Sequence, residues 1–280
     1  MVEMTQNDIY KLHRALLIIA DEIDRICRKH NIHYSLIGGS MLGSIRHKGF
    51  IPWDDDMDIG LLRGDYQAFL HACDVDLDER FTLQTNTSDP YYVYGFSKIL
   101  LKDTRLVQFG HENTKYEKGI FVDIFPFDYI PNNENDRSKQ RRTNYLLIKL
   151  LRQKMKVSDN VNWGIREKVF FKALSFAGLF ITKKELVKLL NDNMVRYNST
   201  ESLYVSNMSG YYGYDRETVP AILFTSFVDV RFEDRIYSIC SDYDSFLKLY
   251  YNDYMKLPPV DQRRTHGFKE LDFGPYNSTL

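Results

Sequence analysis

Cysteine is scarce in this chain. Its three thiols in 280 residues, Cys27, Cys73 and Cys240, lie too far apart for a disulfide framework or a zinc knuckle, which fits a reducing compartment. A charge excess of one sign is missing as well: 37 Lys and Arg stand against 38 Asp and Glu, a net charge of −1 that argues against a nucleic-acid partner held by bulk positive charge. Long apolar runs are absent. The longest, Val169 to Ile181, covers 13 residues with Lys172 inside it, short of the roughly 20 that cross a bilayer. The opening MVEMTQNDIYKLHRALL is polar and then amphipathic, without the apolar stretch of a secretory leader, so the expected location is the cytoplasm. No repeat and no low-complexity stretch is visible, which excludes solenoids and flexible linkers. What is present is 44% hydrophobic residues, enough for one large core or two coupled ones.

The charge is unevenly placed. Between Arg137 and Lys188 fourteen basic residues face three acidic ones, net +11, which leaves −12 on the remainder. Helical spacing from Ile9 to Ile26 behind a Thr5/Asp8 capping box predicts a first helix. Strands are expected at 32–37, 57–62, 81–84, 96–101, 106–109 and 120–125, with short helices at 40–46 and 65–72. Residues 133–198 read as mostly helical, including a second capping box at Thr182 and Glu185, and the chain after Tyr204 returns to short strands and a helix near 241–251. Pro258-Pro259 is expected to end the regular structure and lead into an irregular tail. The fold class is therefore α/β (α+β), a mixed sheet flanked by helices with a helical insertion. The expected division is a core at 1–132, a basic helical insertion at 133–198 and a C-terminal α/β portion at 199–280 that completes the active site.

The densest chemistry is PWDDDMDIG. Asp56 and Asp58 are one residue apart, so on a strand both carboxylates take one face while Met57 and Ile59 enter the core. A third carboxylate, Asp123, stands in the apolar run IFVDIFPFD. A charge on such a strand needs a partner, because an unpaired buried carboxylate costs several kcal/mol, on the order given for desolvated ions. A divalent cation is the expected partner, and hard oxygen ligands suit Mg2+. Two other motifs fail by position. An EF-hand starting at Asp54 would need Gly where Ile59 stands, and a P-loop through Gly38 and Gly43 would need Lys-Ser/Thr where Ser44-Ile45 stands. Gly38, Gly39 and Ser40 lie between a strand and a short helix, where backbone N–H groups can cradle a phosphate, although an ordinary tight turn has the same look. Arg46 and Lys48 could meet phosphates or could mark a solvated helix end.

The stretch IGGSMLGSIRHKGFIPWDDDMDIGL resembles the LicD family of phosphotransferases, a branch of the nucleotidyltransferase-fold superfamily that includes the fukutin-related proteins. Two further blocks agree, GIFVDIFPFD and the late FEDRIYSICSDYDSFLKLYYNDYMKLPPVDQRRTHGF. The chain departs from the family's pattern at Cys240, where a proline is usual, and at His266-Gly267, where two adjacent histidines are usual. The resemblance implies a nucleotidyltransferase-like core, metal held by Asp56, Asp58 and Asp123, and a nucleotide-side loop at Gly38, Gly39 and Ser40. Arg263, Arg264 and His266 would then meet a phosphate or nucleotide, against the plainer reading of a structural tail.

The activity implied is Mg2+-dependent, with two ions and Mn2+ as a substitute. It transfers phosphocholine or a polyol phosphate from a CDP-choline or CDP-polyol donor to a hydroxyl of a cell-surface glycan or its lipid-linked precursor (teichoic acid, lipopolysaccharide or capsule), releasing CMP. Asp123 would take the hydroxyl proton. The tyrosines at Tyr91, Tyr92, Tyr94 and at Tyr211, Tyr212, Tyr214 are candidates for a trimethylammonium cage. The basic segment 137–188, with apolar Val169 to Ile181, would allow peripheral contact with an anionic inner membrane face, or would simply bury that face in a helical subdomain. Two other classes stay open: a nucleotidyltransferase that places NMP on a small molecule or protein, and a non-catalytic membrane-surface binder.

Overall fold

The computed structural model describes residues 5–155, 157, 181–210, 212–263, 265 and 267–280. Helix α1 (Gln6–Lys29) opens on the expected capping box, Thr5 with Asp8, and buries Leu12, Leu16, Ile19, Ile23 and Ile26 along one stripe. There follow β1 (Ser35–Leu36), α2 (Gly38–Arg46), β2 (Asp58–Leu62), α3 (Arg63–Asp76), β3 (Phe81–Gln84), β4 (Ser97–Leu101), β5 (Arg105–Gln108) and β6 (Ile120–Tyr129). Five of these strands lie in the order β1-β2-β6-β4-β3. β2 runs parallel to β6, and the other pairings along this path are antiparallel. The result is the expected α/β class, a mixed sheet flanked by helices.

β6 is the central strand and runs four residues past the expected end at Phe125. Its pairing with β4 stops at Ile124, and its pairing with β7 (Tyr204–Ser206) begins at Asp128. Pro126 falls between these two partners, the kind of position on a strand that tolerates a missing N–H. β8 (Thr218–Pro220) pairs in turn with β7, so the segment after residue 203 extends the same sheet.

One sheet face is mostly apolar, with the buried Ser97 and Asp128 as polar members. Ile59, Leu61, Ile99, Val122 and Ile124 on it are buried, and α1 and α3 pack against the sheet. α4 (Glu134–Lys154) and α5 (Lys183–Val195) pack on each other through Leu147, Leu150 and Leu151 against Leu186, Leu190 and Met194. Val93, Ile130 and Met208 join this second core, which ties both helices to the sheet. The expected capping box at Thr182 and Glu185 starts α5. Apart from Ile181, the apolar stretch from Val169 lies outside the described residues. Among the described residues no helix is long and apolar enough to cross a membrane.

The hairpin β9 (Phe227–Phe232) and β10 (Arg235–Cys240) precedes α6 (Tyr243–Tyr251). The tail beyond Pro259 corrects the expectation of irregular chain: Phe268–Asp272 is a strand, β11, paired antiparallel with β5. Its sequence, FKELD, lacks the apolar alternation that marks a strand. The partner, not the local pattern, makes it one. Cys27, Cys73 and Cys240 are unbridged and buried.

At the start of α3, Arg63 makes two hydrogen bonds to the fully buried Asp128, at 2.8 and 2.6 Å, and Asn198 donates to the same carboxylate at 2.6 Å. Asp128→Ala strands a guanidinium whose side chain is only 14% exposed, so a loss of about 3–5 kcal/mol is expected in urea unfolding. A midpoint within error of wild type would show that water reaches Arg63 at no cost.

Candidate active site

The site lies on the sheet face away from α1. Asp58 on β2 is the register partner of Asp123 on β6, and Lys98 on β4 is the register partner of Asp123 from the other side. Register partners on neighbouring strands are about 4.8 Å apart and share a face, so the three side chains form one row across the sheet. Lys98 Nζ meets Asp123 Oδ1 at 2.7 Å and sits 3.1 Å from the Phe121 ring centroid. The partner that Asp123 needs is therefore supplied by the chain itself, in a lysine the sequence reading passed over. The same test, a lone charge in an apolar strand, picks out Lys98 in FSKILL.

Asp56 precedes β2 and is not part of it, yet Asp56, Asp58, Asp123 and Lys98 all line one cavity of about 650 Å3. Asp58 carries the electrostatic cost. Burial, and then the charges of Asp56, Asp123 and Asp54, hold its carboxyl well above the ordinary carboxylate range. Burial also lowers Lys98, opposed by Asp123.

Gly38, Gly39 and Ser40, expected as a loop ahead of a helix from residue 40, form the first turn of α2 and meet this row directly. Gly38 has φ +55°, and a Cβ there would come within 3.3 Å of Asp58 Oδ2. A Cβ on Gly39 would run into the Asp54 carboxylate. Ser40 Oγ accepts the Asp58 N–H at 2.9 Å, and the Asp58 carbonyl accepts from Ile37 at 3.1 Å. The first turn of α2 therefore abuts the acids with no acidic residue of its own. That end is a dipole-positive group beside negative charge.

The neighbouring aspartates have their own work. Oxygens of Asp54, Asp55 and Asp56 lie within 4.8 Å of one another. The buried Asp55 accepts from the Gly267 N–H at 3.1 Å, which fastens the tail to the acidic loop. The Asp54 carbonyl accepts from His13 Nε2 at 2.7 Å.

The basic candidates are dispersed. Arg46 donates to the Tyr254 carbonyl at 2.8 Å, and Arg263 lies over Trp53, 5.0 Å from its ring centroid, with Nε donating to Pro258. These two arginines feel each other's charge and stand on the Asp54 side. Lys48 is exposed, and its carbonyl receives the Glu233 N–H at 2.7 Å, at the β9–β10 turn. None of the three lines the cavity. Arg264 and His266 lie outside the described residues.

The tyrosine clusters do not assemble one cage. Tyr92 is fully buried, Tyr214 is buried and donates to Gln140, and Tyr91 is exposed. Tyr212 packs against Tyr250, Tyr251 and the Arg216 guanidinium, and Tyr211 lies outside the described residues. Of the described members of these clusters, only Tyr94 lines the cavity.

The structure adds residues the sequence reading missed. His111 lines the cavity and contacts the Tyr116 hydroxyl through Nδ1. Burial, with Lys98 and Arg152 next, pushes it down to about 4, so it is neutral at physiological pH. Lys149 and Arg152 reach the same cavity from α4. Glu217, in the loop ahead of β8, accepts from Asn207 Nδ2 at 2.7 Å and the Tyr212 N–H at 2.9 Å, and burial pushes its carboxyl up to about 7. No local pattern marks these residues, because strand pairing and helix packing, not residue spacing, turn them towards one another.

Glu217 gives a pH test. Its folded-state value of about 7 exceeds the 4.5 of an ordinary glutamate, so the folded chain holds the proton more tightly. That contribution is full below pH 4.5 and is lost as pH rises through 7. Melting temperatures of Glu217→Gln should therefore vary less than those of wild type across this window. Parallel profiles would remove Glu217 as a titrating group.

Residues 31–146 match the family model described as the LicD/FKTN/FKRP nucleotidyltransferase domain. The chain is 29% identical over 259 residues to the lipopolysaccharide cholinephosphotransferase LicD of Haemophilus influenzae, covering 91% of this chain and 94% of that protein. It is also 39% identical over 51 residues to uncharacterised proteins of Rickettsia prowazekii and Rickettsia typhi, 18% of this chain in each case.

Proposed function

We propose that this chain, whose residues 31–146 match the LicD/FKTN/FKRP nucleotidyltransferase-domain family, is a phosphotransferase that moves phosphocholine from CDP-choline to a hydroxyl of a lipopolysaccharide glycan and releases CMP. A polyol phosphate as the transferred group, and teichoic acid or capsule as the acceptor, are variants of the same chemistry. The observation that carries the reading is the Asp58 and Asp123 pair, in register on parallel strands beside the Gly38-Gly39 turn. That juxtaposition exists in a chain which resembles a cholinephosphotransferase along 91% of its length.

An all-oxygen donor set with its central carboxyl destabilised by burial and by like-charged neighbours fits a hard divalent cation. Asp56, Asp58 and Asp123 would hold Mg2+, or Mn2+ in its place. The ions supply charge neutralisation of the diphosphate and of the departing phosphate oxygens. The protein's own groups do the rest. The loop Gly38, Gly39 and Ser40 lets a phosphate approach the backbone closely, where the first N–H groups of α2 favour negative charge. The acceptor oxygen forms a bond to the head-group phosphorus, the bond from that phosphorus to the CMP oxygen breaks, and Asp123 takes the hydroxyl proton. Lys98, paired with Asp123, fixes the orientation of that carboxylate.

A second reading, placement of NMP on the acceptor, follows from the nucleotidyltransferase description of the domain alone. The product separates the two: free CMP, or a nucleotidylated acceptor.

Incubation of the purified chain with CDP-choline, CDP-glycerol or CDP-ribitol and Mg2+ tests the assignment, with CMP release as the readout. Release from CDP-choline is expected, and none from any donor would sink the reading. Asp56→Asn, Asp58→Asn and Asp123→Asn should each cut release by orders of magnitude while the protein stays folded. Asp58→Asn should also raise the metal-free melting temperature, since it removes a buried charge crowded by others of its sign. Full turnover by a folded Asp58→Asn protein contradicts the assignment.

A further inference from the structure

The cavity has a second side, built by residues other than the acids. Tyr94, Phe96, Phe109 and Tyr116 line it with His111, and Lys149 and Arg152 enter it from α4. Its aromatic lining invites assignment to a quaternary ammonium. The charges point the other way. Lys149 and Arg152 bring two cationic groups to this side, Lys98 stands at its edge paired with Asp123, and His111 is kept neutral first by burial and then by Lys98 and Arg152. A group that repels one proton from an imidazole also repels a trimethylammonium.

We propose that this side is a phosphate-binding subsite, with Lys149 and Arg152 as its ligands and Lys98 at the junction with the acidic row. The ligand class is a phosphate ester. Two sources carry that chemistry, the diphosphate of the donor and a phosphate on the acceptor glycan. The assignment rests on the phosphotransferase reading for its biological meaning, but the binding chemistry stands apart from it. Arg offers a planar fork matched to phosphate oxygens, and Lys a point charge. Both come from the basic segment, so part of the +11 excess serves the cavity. The cavity, about 650 Å3, is roomy enough for a phosphate on this side together with a ligand at the acids.

The test is equilibrium titration of the full chain with inorganic pyrophosphate, galactose 6-phosphate, CDP-choline, choline and cytidine, in wild type and in Lys149→Gln, Arg152→Gln and Lys149→Arg. Melting temperature serves as the check on folding. Each Gln variant should weaken a phosphate-bearing probe about tenfold or more, the size of a lost charge-assisted hydrogen bond. Lys149→Arg should retain most of the binding, and cytidine and choline should be unaffected. A loss with CDP-choline and pyrophosphate assigns the subsite to the donor, and a loss confined to galactose 6-phosphate assigns it to the acceptor. Unchanged binding of every phosphate probe in folded Arg152→Gln and Lys149→Gln, or a choline affinity that falls in these variants, overturns the proposal. CMP release by wild type is scored separately, so a failure of the transferase reading leaves the titrations decisive.

Discussion

Two carboxylates and an ammonium in one row across a sheet are the constraint around which the molecule is arranged. Like charges on neighbouring strands oppose pairing, and the cost grows as water is withdrawn. The parallel pairing of β2 with β6 brings Asp58 against Asp123 all the same. The opposite face of those strands carries Ile59, Leu61, Val122 and Ile124 and is seated on α1 and α3, which holds the register. Lys98 offsets one of the two charges. A buried ion pair contributes little net stability, so the arrangement is explained by chemistry on the row and not by folding energy.

Much of this was legible in the sequence where a local rule applied. Both capping boxes stand where Thr5/Asp8 and Thr182/Glu185 predict them, and 81–84 is a strand from Phe81 to Gln84. The carboxylates in IPWDDDMDI and IFVDIFPFD announce themselves as charges in apolar surroundings. The convergence of Asp56, Asp58 and Asp123 on one cavity adds what spacing alone lacks, because strand order is a property of the whole sheet. Other features were hidden for physical reasons. β11 owes its conformation to β5, and Glu217 owes its environment to Asn207 and Tyr212. Lys149 and Arg152 sit among many basic residues on α4, and nothing in the sequence separates the two that reach the cavity from those that do not.

The basic segment also changes meaning once folded. As a sequence it reads as a helical insertion that either meets an anionic membrane face or buries its apolar side in a subdomain of its own. In the structure α4 and α5 share a core with Val93, Ile130 and Met208, and α4 forms one wall of the cavity. Its position couples the charge to the site.

The buried cysteines have a practical consequence. Cys27 and Cys73 lie under α1 and α3 and Cys240 ends β10, and burial pushes the Cys73 and Cys240 thiols up to about 12. The thiolate is the reactive form, so the native surface offers no competent sulfur to an alkylating reagent. A single cysteine engineered at the mouth of the cavity would therefore be the one site to take a fluorophore or spin label, and the wild-type background need not be stripped of thiols first.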